Sequence, residues 1–289
     1  MLTRKAYAKV NLTLEVLGRR DDGYHDVVSV MQTIGLYDTL TLAPADSVSF
    51  ECDVAELQSD ENLVVTATKL LGDFARCDKG VEIRLQKRIP ASAGLGGGSS
   101  DAAATLQGLN ELWDLGLSIQ DLEPLAAQLG SDVPFFLHNG TAMVQGRGEQ
   151  VRSLPPADLQ WMVVLSPDIL LPDKTATLYR SLGESSFTRG ALTRKLEARI
   201  RGGGDAPPQF LFNAFDSVAL DAFPGIKEYW DTLASLGARE IHLAGSGPSM
   251  FAPVSRKEVG TAIELLLTHR HGWVSHLVST VSADEADKP

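Results

Sequence analysis

The stretch from Pro90 to Ala104 reads PASAGLGGGSSDAAA, four glycines and three serines set between a strand-like run and a helix-like one. A loop that wraps a polyphosphate needs positive φ at some positions and no Cβ between its backbone and the ligand. Gly94, Gly96, Gly97 and Gly98 meet that need. Before the loop, Val81 to Leu85 alternates apolar and polar; after it, Ala103, Leu106, Leu109 or Asn110, and Trp113 recur at helical spacing, with Ser99, Ser100 or Asp101 as the N-cap. Strand, glycine loop and helix start bring free backbone N–H groups and the positive end of a helix dipole to one point, which makes an anion site. The loop lacks the Gly-Lys-Ser/Thr ending of a Walker A loop, and Ser99 stands where a dinucleotide fingerprint has its third glycine. Glycine and serine also make flexible linkers, a reading that the alanine-rich helix directly after them opposes.

Four more groupings carry reactive or binding side chains. Ala6 to Leu17 alternates, with Ala8, Val10, Leu12, Leu14 and Val16 on one side and Tyr7, Lys9, Asn11, Thr13 and Glu15 on the other. Lys9 and Asn11 then point the same way, about 7 Å apart. A lone lysine on a strand is ordinarily a solvated edge charge. Tyr24 and His25 follow Gly23 in the turn-rich GRRDDGYH, where ring and imidazole either face a cleft or complete a turn. Asp132 sits in GSDVPFF, between Gly130, which can end a helix, and Pro134, which restricts Val133; its ordinary role there is a turn or a cap. Gly245-Ser246-Gly247, in AGSGPSMF, is a second glycine-serine turn.

The elements that must position these groups alternate along the chain. Strand-like runs are Val27 to Leu42, in two pieces around Gly35 to Asp38, then Val48 to Cys52, Thr141 to Val144, Trp161 to Leu165, Ile241 to Leu243, Phe251 to Val254 and Trp273 to Val281. Helical patterns cover Asn62 to Phe74, Ser118 to Leu129, Lys174 to Leu182, Leu192 to Ile200, Asn213 to Ala222, Gly225 to Leu236 and Lys257 to Leu267. Ser153 to Asp158, with paired prolines, is the expected linker between domains at 1–152 and 159–283. The alternation predicts an α+β or mixed α/β class.

Composition narrows the function. A formal charge of −11 over 289 residues argues against a nucleic-acid or anionic-membrane surface, so bound phosphate must be held by local donors and a few placed cations. No apolar run reaches membrane-spanning length, and the first residues are too charged for a signal peptide, so a cytoplasmic protein is expected. Cys52 and Cys77 lack metal spacing and are expected to be reduced.

Taken in order, AKVNL, DGYH, PxxxGLGGGSSDAA, GSDVPFF and AGSGPSMF resemble the GHMP kinase superfamily, over roughly residues 6 to 255. The resemblance implies a two-domain GHMP kinase fold of α+β class. Its N-terminal domain would be like the second domain of ribosomal protein S5 and its C-terminal domain ferredoxin-like, with the active site between them. It implies ATP-dependent phosphorylation of the 2-hydroxyl of a cytidylated methylerythritol, in the non-mevalonate route to isoprenoid precursors. Lys9 and Asp132 would be the catalytic pair. Asn11, Tyr24 and His25 would contact the acceptor, the tyrosine stacking on cytosine and the imidazole meeting its polar edge. Pro90, Ala91, Ser92, Ala93, Gly94, Leu95, Gly96, Gly97, Gly98, Ser99 and Ser100 would form the ATP loop, and Gly245, Ser246 and Gly247 would line the transfer point from the second domain.

Two points of the resemblance concern the second domain and the metal. Tyr179, in PDKTATLY, is the candidate for an added aromatic at the base; this segment keeps Thr175 and Tyr179 but lacks the serine of the family's motif. Mg²⁺ would travel with ATP on phosphates and water, with a hydroxyl of Ser99 or Ser100 available and no dedicated protein metal cluster. The alternatives are a GHMP kinase for a sugar, homoserine or mevalonate-type alcohol, and a nucleotide-binding protein without catalysis.

Overall fold

Residues 1–157 and 159–286 are described by the computed structural model; Asp158, the end of the expected linker, lies outside them. Strand β1 (Leu2–Arg19) pairs antiparallel with β2 (His25–Ala45) along almost its whole length. The expected interruption of β2 near Gly35 is a bulge, because Tyr7 pairs with Tyr37 but Ala8 pairs with Ile34. A second register shift lies between Asn11, opposite Met31, and Thr13, opposite Val30. One extra residue there flips the side-chain alternation. Leu14, rather than Thr13, therefore lines the same cleft as Lys9 and Asn11, and Glu15 turns away to accept the Thr193 N–H at 2.7 Å. The regular alternation expected through Glu15 is corrected at that bulge.

The first sheet continues with β3 (Val48–Cys52), β4 (Gly80–Gln86), β5 (Thr141–Gly146) and β6 (Gln150–Leu154). β4 and β5 pair with the two halves of β2, and β3 and β6 lie outside them. Helices α1 (Leu63–Ala75), α2 (Gly97–Leu112), α3 (Ile119–Leu129) and α4 (Val133–His138) cover one side, where Val64, Leu106 and Phe135 share a core with Leu40, Leu42 and Ile83. Asn62 caps α1 as expected, its Oδ1 accepting the Val64 N–H at 2.9 Å. Pro134 does not exclude a helix: as the second residue of α4 it needs no helical N–H donor.

The second half holds β7 (Trp161–Ser166), α5 (Lys174–Ser181), α6 (Ala191–Arg201), β8 (Phe212–Asn213), α7 (Asp216–Ala222), α8 (Ile226–Ser235), β9 (His242–Leu243), β10 (Met250–Val254), α9 (Lys257–His271), β11 (Val274–Ser279) and α10 (Ala283–Ala286). β11, β7, β10 and β9 form, in that order, an antiparallel sheet. Its Met162, Val164 and Phe251 pack, with Leu196 and Ile200 of α6, against Ala8, Val10 and Val28 of the first sheet. The helix expected from Asn213 starts at Asp216, because Phe212 and Asn213 pair in parallel with Thr13 and Leu14 of β1. Both cysteines are free thiols.

Beneath the start of α2 lies a buried ionic group. Lys87, just past β4, donates from Nζ to Asp101 Oδ2 at 2.6 Å and to Asp38 Oδ2, and all three side chains are buried. Asp38 Oδ1 also accepts the Ile89 N–H at 2.8 Å, which ties the approach to the glycine loop onto β2. Removing the lysine leaves two buried carboxylates without their cation. Lys87→Met is expected to destabilise the fold by about 3–5 kcal/mol, read as a lower urea midpoint; an unchanged midpoint would contradict the role given to this group.

Candidate functional site

The cleft forms where β1 meets the two glycine-rich loops. Lys9 is only 3% exposed and Asn11 1%. Lys9 is therefore not a solvated edge charge. Its Nζ donates to Asn11 Oδ1 at 2.9 Å, Asn11 Nδ2 donates to Ser29 Oγ at 2.8 Å, and Ser29 donates to the Thr13 carbonyl at 2.6 Å. Thr13 Oγ1 in turn accepts the Val30 N–H at 3.0 Å. The bulge thus finds its hydrogen bonds in the side chains that fix the lysine.

Asp132 occupies the N-cap position of α4, yet its side chain makes no capping bond. It faces Lys9 instead, with Oδ2 at 3.5 Å from Nζ, and its side chain is 32% exposed to the cleft. A buried ammonium and an open carboxylate stand side by side.

The first loop begins its helix earlier than the serines suggest. Gly96, with φ 76°, is the cap residue of α2 and offers no side chain, so Ser99, Ser100 and Asp101 all lie inside the helix. None of the helix's first N–H groups is taken by a capping side chain, which suits an anion. At Gly94, φ is 85° and a Cβ would lie 2.0 Å from the Ala244 carbonyl oxygen. Only glycine allows that approach of the second turn. The Leu95 carbonyl accepts the Lys9 N–H at 2.9 Å, and Ser249 N–H donates to the Ala93 carbonyl at 3.1 Å, so the loop is fixed to β1 and to the second turn at once. Asn213 Nδ2 holds that turn, donating to the Leu243 and Gly245 carbonyls at 2.8 Å each.

Among the described residues, three hollows border this loop, and two of them take in its glycines. One, of about 360 Å³, is walled by Pro90–Gly94 and Gly96–Ser99 with Leu57, Asn62 and Lys87. The other, of about 890 Å³, holds Lys9, Asn11, Tyr24, His25, Asp132, Tyr179, Gly245 and Ser246. Of the loop residues singled out from the sequence, Leu95 and Ser100 line neither; both are buried. Gly247 stands behind Ser246, its carbonyl accepting from Lys174.

The far end of the larger cleft is aromatic. His25 stacks on Tyr179 at 4.6 Å and 19°, Tyr179 meets Phe215 edge-on at 4.9 Å, and Phe187 lies at 6.0 Å from the imidazole. Burial, helped by Arg19, lowers the His25 pKa, so the ring is neutral at pH 7 and can donate and accept. Burial, with the Asp132 charge, raises that of Tyr179. Tyr24 is 53% exposed, with the Arg147 guanidinium over its ring at 4.8 Å.

Lys87, Arg147 and Phe187 come from segments without a motif, and Lys174 sits inside PDKTATLY at a position the sequence did not single out; folding brings them to the two hollows. Among the described residues no group of three or more His, Cys, Asp or Glu is placed to hold a metal. No helix among them is long and apolar enough to cross a membrane.

Two glycine-rich loops thus meet near the start of α2, with a lysine–aspartate pair beside them. Residues 62–140 match the family model described as GHMP kinases N terminal domain. The chain is 44% identical to the 4-diphosphocytidyl-2-C-methyl-D-erythritol kinase of Dehalococcoides mccartyi, covering 97% of this chain and 99% of that one. It is 43% identical to the enzyme of that name from Symbiobacterium thermophilum, covering 93% and 97%. A crystal structure of 4-(cytidine 5'-diphospho)-2C-methyl-D-erythritol kinase superposes with a TM-score of 0.82 at 32% identity, over 96% and 99% of the two chains. Homoserine kinase from Cytophaga hutchinsonii shares the fold, with a TM-score of 0.75 at 20% identity over 97% and 94%. The chain belongs to the 4-diphosphocytidyl-2-C-methyl-D-erythritol kinase family, and it is a kinase.

The charge under the loop also titrates. Burial pushes the Asp101 carboxyl up to about 7 against the pull of the Lys87 ammonium, with Asp38 adding to the rise. From the ordinary carboxylate range up to about 7, the folded protein keeps a proton that the unfolded chain has released. Asp101 therefore favours folding less as pH rises through that window. Asp101→Asn is expected to gain stability relative to the parent between pH 5 and pH 7.5, measured as the difference in urea midpoints; a constant difference would contradict the shift.

Proposed function

We propose that this kinase transfers the γ-phosphoryl group of ATP to the 2-hydroxyl of 4-diphosphocytidyl-2-C-methyl-D-erythritol, a step of non-mevalonate isoprenoid synthesis. The observation that carries the proposal is the Lys9–Asp132 pair, 3.5 Å apart where the acceptor cleft opens onto the glycine loop. We assign the lobes to residues 1–152 and 159–283.

Phosphoryl transfer passes through a loose transition state, so catalysis is mostly positioning and charge neutralisation. ATP phosphates take the smaller hollow, on the free N–H groups at the start of α2. The acceptor hydroxyl sits against Asp132, whose carboxylate takes the proton as the new O–P bond forms and the bond to the β-phosphate breaks, releasing ADP. Lys9 stands 3.5 Å from Asp132 and faces the negative charge that gathers on the transferring group. Its own position is set by Asn11 and Ser29, not by solvent. Mg²⁺ would be held by the phosphates and water, since the protein groups at the loop are amides and hydroxyls, and it would add charge neutralisation.

At the acceptor's other end, Tyr24, His25, Tyr179 and Phe187 provide an aromatic site with one neutral imidazole. Such a set fits a nucleobase better than the bare alcohol of a homoserine or mevalonate kinase. We place the cytosine there, stacked on Tyr24 and hydrogen-bonded to His25.

Asp132→Ala is expected to lower kcat by about 10²–10⁴-fold while ATP affinity changes little, in a coupled assay of ADP release. Turnover near the parental rate would remove the general-base assignment. Tyr24→Ala is expected to act chiefly on KM for the cytidylated acceptor and to leave KM for ATP unchanged; the reverse pattern would move the base elsewhere.

A further inference from the structure

A third charged group stands beside Lys9 and Asp132, and it comes from the other lobe. Lys174 is the first residue of α5, and its Nζ donates to the Ser92 carbonyl at 2.7 Å and to the Gly247 carbonyl. Ser92 belongs to the first glycine loop and Gly247 to the second turn. One ammonium therefore bridges the two segments that face the transfer point. The preceding residue, Asp173, holds a left-handed backbone with φ 46° and makes no capping bond to α5. A non-glycine residue in that region costs of order 1–3 kcal/mol, and here the conformation turns the start of α5 into the cleft. Lys174 lines the cleft together with Lys9, Asp132 and Ser246.

An ammonium has three N–H donors and two of these are directed at neutral carbonyls, which leave its charge uncompensated. Lys9 already stands against Asp132. Two ammonium groups facing one carboxylate make this point locally positive in a chain whose formal charge is −11. That is the field a transferring phosphoryl group requires.

We propose that Lys174 is a second catalytic cation of this kinase, which clamps the two loops through its bonds to Ser92 and Gly247 and points its third N–H at the transferring phosphoryl group. The inference rests on the phosphoryl-transfer reading given above. Burial first, then the Lys9 charge, lowers the Lys174 pKa to about 8, with Asp132 pulling the other way. The charged groups facing it are Lys9 from β1 and Asp132 before α4, with Asp173 next to it in the chain and Asp168 on the hollow behind it. Pro90–Gly94 and Gly245–Gly247 carry no titratable side chain. Lys174 accordingly loses its charge as pH rises through about 8.

The test compares the parent with Lys174→Gln and Lys174→Arg. Steady-state ADP release with MgATP and the cytidylated acceptor is followed from below neutrality to well above pH 8, and binding of ADP and of the non-hydrolysable analogue AMP-PNP is measured by calorimetry. The expected result is a parental kcat that falls on the alkaline side near pH 8. Lys174→Gln should lower kcat by about 10²-fold, lose that alkaline fall, and weaken AMP-PNP more than ADP. Lys174→Arg should move the fall to higher pH, since arginine keeps its charge. A Lys174→Gln enzyme with parental kcat and an unchanged pH profile overturns the proposal, as does an equal loss of affinity for ADP and AMP-PNP. If Lys174→Gln does not fold, by circular dichroism, the direction of the arginine shift decides. Failure of the parent to turn over the cytidylated acceptor counts against the acceptor assignment, and the two nucleotide affinities still decide the role of Lys174.

Discussion

The buried ammonium of Lys9 needs partners inside a strand that is covered on both faces, because an unpaired charge in such a place costs several kcal/mol. β1 meets that constraint with a bulge. The extra residue between Asn11 and Thr13 frees the Thr13 carbonyl for Ser29, and the chain of hydrogen bonds through Asn11 ends on Lys9. The same shift turns Leu14 into the cleft and sends Glu15 to α6. The position of Lys9, one wall of the cleft and a contact between the halves all follow from one irregularity.

The two glycine turns close the site by touching each other. Gly94 has no room for a side chain because the Ala244 carbonyl comes down on it, and Asn213, from a short strand added to the first sheet, pins the second turn from behind. Since α6 and the second sheet share a core with β1 and β2, the loops belong to one packed body. Under the first loop, Lys87 holds the buried Asp38 and Asp101, and Asp38 ties the chain leading into the loop to β2.

Much of this was legible in the sequence. The glycine loop, the Lys9–Asn11 pairing, the α1 cap at Asn62 and most strands follow from local chemistry and spacing. The bulges do not, because a register shift depends on the partner strand and leaves the local pattern of β1 almost regular. The early start of α2 was hidden for a related reason: Ser99 and Ser100 are better caps than Gly96 by type, but the loop's backbone, not side-chain preference, decides where the helix begins. Asp101 is a candidate cap by type, and only the fold brings Lys87 against it. Arg147 and Phe187 lie outside the motifs they join, and Lys174, although inside PDKTATLY, reaches the first glycine loop only through the fold, so no spacing rule finds these contacts.

The proposed phosphoryl transfer requires Lys9 and Asp132 to act as one unit. A double-mutant cycle on kcat, with Lys9→Met, Asp132→Asn and the pair together, measures this directly. Residues that work as a unit give a double variant about as slow as the slower single one, and that is the result expected here. Losses that multiply across the cycle would show that the two side chains act independently and would contradict the mechanism.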